Sequence, residues 1–246
     1  MIRFGLRIAA IILTLLVCLP LHYAWKAARA RSPWPRRFLG AVGRIAGMKV
    51  EVRGTPLPSH VLYAANHLSW LDIMLIAGAS GAAFVSRDDV ERWPVIGWLA
   101  GLNDTVFVDR SDRRAVHGQA QTLRGALARG QPVALFPEGT TDGGTSILPF
   151  RASLFESLFP PLPGIRVQPV AIDYGAAATD IAWVGKESAG ANVRRVLSRH
   201  GTVPVILDFR PPLDPAAAPD RKALAQAARS EILSVLHPSE AAADRL

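Results

Sequence analysis

The sequence predicts an α/β fold, a mixed, largely parallel sheet flanked by helices, with an N-terminal membrane-associated helix in front of it. Seven short runs rich in β-branched and aromatic residues, KVEVRG, HVLYAAN, AAFVSR, TVFVDR, PVALFPE, VQPVAIDY and VPVILDF, alternate with stretches of mostly helical period. Such alternation brings consecutive strands side by side with helices across them, which favours parallel pairing. The chain has 246 residues, enough to bury one full core. The third observation is charge: residues 1–54 hold ten Lys+Arg against the single acid Glu51, whereas the remaining residues hold 18 bases and 19 acids. Nearly all the basicity therefore sits at one end, beside an apolar run. The expected division is 1–44 for the apolar anchor and its basic flank, 45–236 for the domain, and 237–246 for a tail.

The anchor comes first. Ile8 to Trp25 is 18 residues without a charge, and Lys26, Arg29, Arg31, Arg36 and Arg37 follow it. That length is the lower limit for crossing a bilayer, and the basic flank favours a cytoplasmic side and anionic lipid. Pro20 and His22 interrupt the last turns, so a crossing helix and a re-entrant or interfacial one both remain open. A secretory signal, with Ala28-Arg29-Ala30 as its cleavage site, is opposed by the positive charge after the apolar run. Nucleic acid is not an expected partner, because the body of the chain carries no basic stripe. The lone Cys18 excludes an intramolecular disulfide and any Cys-based metal site.

After KVEVRG, the run HVLYAAN leads into Asn66-His67-Leu68-Ser69-Trp70-Leu71-Asp72, where a strand turns into a helix. A histidine with a carboxylate five residues on has the composition of a general base and its orienting acid: the carboxylate fixes one ring nitrogen and leaves the other free for a proton. Ser69-x-x-Asp72 also fits a helix capping box, and both readings can hold together. AAFVSR follows, then the apolar segment Trp93 to Trp98, then TVFVDR. At the end of TVFVDR, Arg110 offers a guanidinium able to grip phosphate, or else a surface ion pair with Asp109 or Asp112. Val116, Ala120, Leu123 and Leu127 share one helical face, and Gly130-Gln131-Pro132 stops that helix.

PVALFPE opens into Phe136-Pro137-Glu138-Gly139-Thr140-Thr141-Asp142-Gly143-Gly144-Thr145. Its proline ends the ladder and its glycines allow backbone amides close to a ligand, so it suits an anion or a headgroup. Glu138 either orients an acceptor or caps a neighbouring helix. The loop lacks the GK[ST] of a phosphate-binding P-loop. Arg151, after Leu148-Pro149-Phe150, is a second candidate cation, and Arg87 a third. VQPVAIDY and VPVILDF complete the strands, and a last helix carries Leu224, Ala228, Ile232 and Val235 on one face. In open α/β sheets ligands bind beyond the carboxyl ends of strands, where His67, Asp109-Arg110 and Glu138 to Thr140 are all expected. No G-x-S-x-G elbow, zinc ligand set or paired aspartates of dehalogenase type occur.

Four blocks now stand in order: Asn66 to Asp72 as NHxxxxD, Phe107 to Arg110 ending in VDR, Phe136 to Thr140 as FPEGT, and Val167 to Ile172 as VQPVAI. Over roughly residues 45–210 the chain resembles a bacterial lysophospholipid acyltransferase of the 1-acyl-sn-glycerol-3-phosphate acyltransferase family. The resemblance implies a glycerolipid acyltransferase-like fold and transfer of a fatty acyl group from acyl-CoA or acyl-carrier protein to a lysolipid hydroxyl. Those are co-substrates, and no cofactor or metal is expected. The implied general base is His67, oriented by Asp72. Asn66, Arg110, Phe136, Pro137, Glu138, Gly139, Thr140 and Arg151 fall to substrate binding.

Taken directly, the resemblance implies 1-acyl-sn-glycerol-3-phosphate as acceptor and phosphatidic acid as product. Many such members read FPEGTR, with the arginine on the acceptor phosphate, but here Thr141 and Asp142 follow Thr140. That departure makes a non-phosphate lysolipid, such as lyso-ornithine lipid, the alternative acceptor. A catalytically silent lipid-binding membrane protein is the alternative from another class. The expected location is the bacterial inner membrane, with the domain on its cytoplasmic side. An apolar groove beside His67 is also expected, with Leu68, Trp70, Leu71 and Trp93 to Trp98 lining it or facing the membrane.

Overall fold

The computed structural model describes residues 2–108 and 113–239. All seven expected strands are present: β1 (Met48–Arg53), β2 (Val61–Ala65), β3 (Ala83–Arg87), β4 (Val106–Val108), β5 (Val133–Leu135), β6 (Arg166–Asp173) and β7 (Val203–Phe209). They form one sheet in the order β1-β7-β6-β2-β5-β3-β4, with every pairing parallel except β6 with β7. The sheet is therefore mixed and largely parallel.

The helices are α1 (Ile2–Ala27), α2 (Trp34–Ile45), α3 (Leu71–Ser80), α4 (Asp88–Glu91), α5 (Ile96–Leu102), α6 (Arg113–Ala128), α7 (Ala178–Ile181), α8 (Ala189–Ser198) and α9 (Arg221–Leu236). They cover both faces, so the central strands bury alternate residues in two separate cores. Val61, Tyr63 and Ala65 of β2 join Leu71 and Ile76 of α3 and Val196 of α8 on one face. Leu62 and Ala64 join Leu123 and Leu127 of α6 and Leu224 and Ala228 of α9 on the other. Burial on both faces is why β2 reads as an unbroken apolar run rather than an alternation.

The first 44 residues are packed onto this body. Phe4, Ile8 and Ile11 of α1 lie against the first core, and Cys18 packs with Phe38 and Val42 of α2. Arg7 donates to the carbonyls of Val196 and Leu197 at 3.4 and 3.2 Å, satisfying backbone acceptors at the end of α8. Arg36, expected in the basic flank, caps α3 by donating to the carbonyls of Gly78 and Ala79. The interruption expected at Pro20 does not occur, and α1 runs unbroken to Ala27. Proline removes a single helical hydrogen bond here, and the contacts of Cys18 and His22 on the buried side hold the turns around it. Among the described residues α1 is the one helix long and apolar enough to cross a membrane, and Ile2, Leu6, Leu13, Leu16 and Val17 stand exposed on its outer side.

Helices α2 and α3 meet at Gly40 and Gly78. A Cβ on Gly78 would lie 2.6 Å from the Gly40 Cα, so the two backbones touch where no side chain fits. Gly78→Val is expected to force them apart and cost about 1–3 kcal/mol. Thermal unfolding of the full chain in detergent reads this as a lowered midpoint, and an unchanged midpoint would show that the helices separate without cost.

Candidate active site

The neighbouring order β6-β2-β5 brings three strand ends together, and each delivers one part of the site. β2 ends at Ala65 and hands the chain to Asn66 and His67. β5 ends at Leu135 and opens into Phe136-Pro137-Glu138. β6 ends at Asp173, directly before Tyr174.

Asp72, in the first turn of α3, is fully buried. Its Oδ2 accepts from His67 Nδ1 at 2.8 Å and from the backbone N–H groups of Leu68 and Ser69 at 2.7 and 2.9 Å. Its Oδ1 accepts from the Tyr174 hydroxyl at 2.6 Å. Both oxygens are acceptors, so His67 Nδ1 is the donor and Nε2 keeps the lone pair. The bond to Ser69 N–H is one half of a capping box. The Ser69 hydroxyl accepts from Leu71 N–H at 3.4 Å instead of completing the other half. One carboxylate oxygen thus meets both the imidazole and the backbone leading into α3, whose N-cap is Trp70 and not the expected Ser69.

His67 is held from three further directions. Its ring stacks on Phe136 with centroids 3.9 Å apart, its N–H donates to Glu138 Oε1 at 2.8 Å, and its carbonyl accepts from Asp142 N–H at 3.0 Å. The side chain is 18% exposed, so the imidazole is fixed yet reachable. An imidazole held this way can take a proton from a hydroxyl at Nε2 and return it to a leaving group.

Glu138 is 2% exposed and ties two loops together, since Oε2 accepts from Leu148 N–H at 3.0 Å. Burial pushes its carboxyl up to about 7, against the pull of the two backbone donors. Glu138 positions the backbone of His67, a part beyond the two roles read from the sequence. Pro137 is buried, and its carbonyl accepts from Arg151 N–H at 2.9 Å. Gly139 has φ +76, and a Cβ there would come within 2.8 Å of the Arg151 guanidinium. Arg151 and Gly139 are thus in close approach, and Thr140 is exposed on the same loop.

Asn66 departs from the expected set. It is 3% exposed, and its amide donates to the Ile172 carbonyl at 3.0 Å while accepting from Ile172 N–H at 2.8 Å. Both ends of the side chain lock the turn after β2 to β6, and the residue is buried. Asp109 and Arg110 lie outside the described residues, as does the side chain of Arg87. Leu68 and Leu71 belong to the closed core and not to a groove, since both are buried among the residues of the first core. Tyr174 is the residue sequence reasoning missed, and its place as the last residue of VQPVAIDY was the available signal. Burial raises its hydroxyl well above the ordinary tyrosine value, with Asp72 beside it adding to the effect. Asn192 of α8 was missed as well, and it accepts from Trp70 Nε1 at 3.1 Å.

Residues 49–173 match the Acyltransferase family model, a span that contains His67, Asp72 and the FPEGT loop. The chain belongs to the acyltransferase family. Among similar proteins, this acyltransferase is 34% identical to the lyso-ornithine lipid O-acyltransferase of Rhodobacter capsulatus, over 94% of this chain and 89% of that one. It is 37% identical to the 1-acyl-sn-glycerol-3-phosphate acyltransferase of Neisseria gonorrhoeae, over 54% of this chain and 52% of that one. The crystal structure of the acyltransferase PlsC from Thermotoga maritima superposes with a TM-score of 0.70 at 21% identity, covering 97% of this chain and 94% of that one. The fold extends through both N-terminal helices.

The raised Glu138 carboxyl makes the stability of this acyltransferase depend on pH. Between its ordinary value of 4.5 and about 7, the folded chain keeps a proton that the unfolded chain has released. Stability therefore falls as pH rises through that window, by up to about 3 kcal/mol. Unfolding midpoints measured from pH 4.5 to 7.5 should drop for wild type relative to Glu138→Gln, which has no carboxyl to titrate. Parallel profiles would place the titration elsewhere.

Proposed function

We propose that this acyltransferase moves a fatty acyl group from acyl-CoA or acyl-carrier protein to the hydroxyl of a lyso-ornithine-type lysolipid at the membrane. His67 is the general base and Asp72 its orienting acid. Nε2 takes the hydroxyl proton as the acceptor oxygen attacks the thioester carbonyl. The tetrahedral adduct collapses to the new ester, the carbon–sulfur bond breaks, and the thiolate leaves with the proton from His67. No metal or organic cofactor enters these steps.

Thr141 carries the choice of acceptor. Where the resemblance leads one to expect a phosphate-gripping arginine, the Thr141 hydroxyl donates to the Trp183 carbonyl and so belongs to the loop framework. Asp142 follows, its N–H on the His67 carbonyl and its carboxylate accepting from Ser146. A carboxylate there and the Arg151 guanidinium against Gly139 suit a zwitterion with an ammonium and a carboxylate better than a phosphate dianion. The 34% identity to a lyso-ornithine lipid enzyme along nearly the whole chain supports the same reading. The second reading, 1-acyl-sn-glycerol-3-phosphate, rests on Arg151, which is able to grip phosphate.

The membrane side of the proposal rests on exposed apolar surface. The outer strip of α1 and the side chains of Trp93, Val95 and Trp98 stand bare, and Lys26, Arg29 and Arg31 follow the strip. These suit anionic lipid, and the position of the charges favours the cytoplasmic face of a bacterial inner membrane. A cavity of about 340 Å³ with an almost wholly apolar lining runs beside Trp70, Phe84 and Ile96, between α1, α2, α3 and α5. It is the candidate seat for an acyl chain.

Labelled acyl-CoA offered with lyso-ornithine lipid and 1-acyl-sn-glycerol-3-phosphate in parallel tests both acceptors. Turnover is expected on the former, falling by about 10²–10⁴-fold in His67→Ala, the range for a lost general base. Undiminished turnover in that variant would sink the role of His67. Thr141→Arg is expected to raise the phosphate acceptor relative to the other, and an unmoved ratio would detach the headgroup from this position.

A further inference from the structure

The apolar cavity carries two polar groups that nothing in it satisfies. His22, near the end of α1, and Trp34, at the start of α2, both line it. His22 is 5% exposed, and among the described residues neither its Nε2 nor the Trp34 Nε1 has a hydrogen-bond partner, although both atoms are buried. An unmet buried donor costs free energy that a native chain rarely leaves uncompensated. The rest of the wall is Cys18, Phe38, Phe84, Leu99 and similar side chains.

The bond on the other side of the imidazole says what Nε2 offers. His22 Nδ1 lies 2.8 Å from the Ser32 hydroxyl, which already accepts from Trp34 N–H at 3.4 Å. That hydroxyl keeps its proton and one lone pair, so the bond runs in either direction; we assign the tautomer in which Ser32 donates to Nδ1 and the imidazole carries its proton on Nε2. The Trp34 indole is a donor only. Two N–H donors thus face an apolar cavity, and a group that accepts hydrogen bonds is their complement. Phe84 lines the cavity, and its ring lies 6.0 Å from that of Phe136, the platform of His67.

We propose that this cavity selects an aliphatic chain bearing an acceptor oxygen along its length, a hydroxyl or oxo group, received by His22 Nε2–H and Trp34 Nε1–H. A plain alkyl chain fills the same space but leaves both donors unmet. The proposal rests on the reading of the cavity as an acyl-chain seat. The oxygen can come on the chain of the thioester donor or on the chain of the lysolipid acceptor, and both present the same chemistry to the two donors.

The test uses the full-length protein in detergent with two series. One varies the acyl thioester, unsubstituted or with a hydroxyl or oxo group at successive carbons, against a fixed acceptor. The other varies the chain of the acceptor in the same way against an unsubstituted donor. A preference of about tenfold in kcat/KM for one oxygen position is expected in one series, the worth of one satisfied buried donor. His22→Leu should bring that ratio near unity, Trp34→Phe should lower it in part, and His22→Gln, which keeps an N–H donor, should restore some of it. Calorimetric binding of the same compounds reads the ratio without turnover, so an absent reaction would count against the catalytic reading alone. Ratios near one at every position in both series, or a preference that survives both His22→Leu and Trp34→Phe, would overturn the proposal.

Discussion

A carboxylate with no exposed surface is the constraint on which the rest of this structure depends. Asp72 is taken wholly out of water, a cost of several kcal/mol unless each oxygen is met by donors. The four donors that meet it come from the turn after β2, from the imidazole, and from the residue after β6. The sheet order has to place β6 beside β2 for Tyr174 to arrive, and α3 has to start where it does for the N–H groups of Leu68 and Ser69 to converge. A shift in either element would strand a buried charge. The active-site geometry is thereby welded to the topology.

Glu138 extends the weld to the other neighbour of β2. One of its oxygens holds the backbone of His67 and the other the backbone of Leu148, so the strand end and the loop after β5 cannot drift apart. Asn66 does the same toward β6 through its paired bonds with Ile172. Side chains in what reads as a substrate motif therefore serve to hold the backbone, while among the described residues the imidazole edge, Arg151, Thr140 and Asp142 keep some exposed surface. Rigid support of this kind suits proton transfer, which tolerates little misplacement between base and hydroxyl.

The N-terminal helices belong to the same system. Arg7 closes the end of α8, α8 supplies the Asn192 that fixes Trp70, and Trp70 forms part of the cavity wall between α1 and the sheet. One side of α1 is thus committed to protein and the other left bare. A lipid surface on the bare side would bring the hydrocarbon phase to the mouth of the cavity without detaching α1 from the domain.

Much of this was legible in the residues alone. Runs of β-branched and apolar residues located all seven strands and 3.6-residue repeats the long helices, because burial in a sheet or on a helix face imposes that composition and that repeat on the chain. The His67 to Asp72 spacing and the FPEGT block marked the site, since contacts within one turn or one loop are written in local order. Tyr174, the part played by Glu138 and the true engagement of Asn66 were not legible, for each depends on a partner 71 to 106 residues away in the chain. The course of α1 past Pro20 belongs with them, as packing outweighs a local propensity only once the partner surface exists. The sequence by itself determined the periodicities, the charge asymmetry and the spacing of His67 and Asp72; tertiary structure alone decided which buried polar atoms meet and which are left without a partner. That division follows from hydrogen bonding, which is satisfied in space and not along the chain.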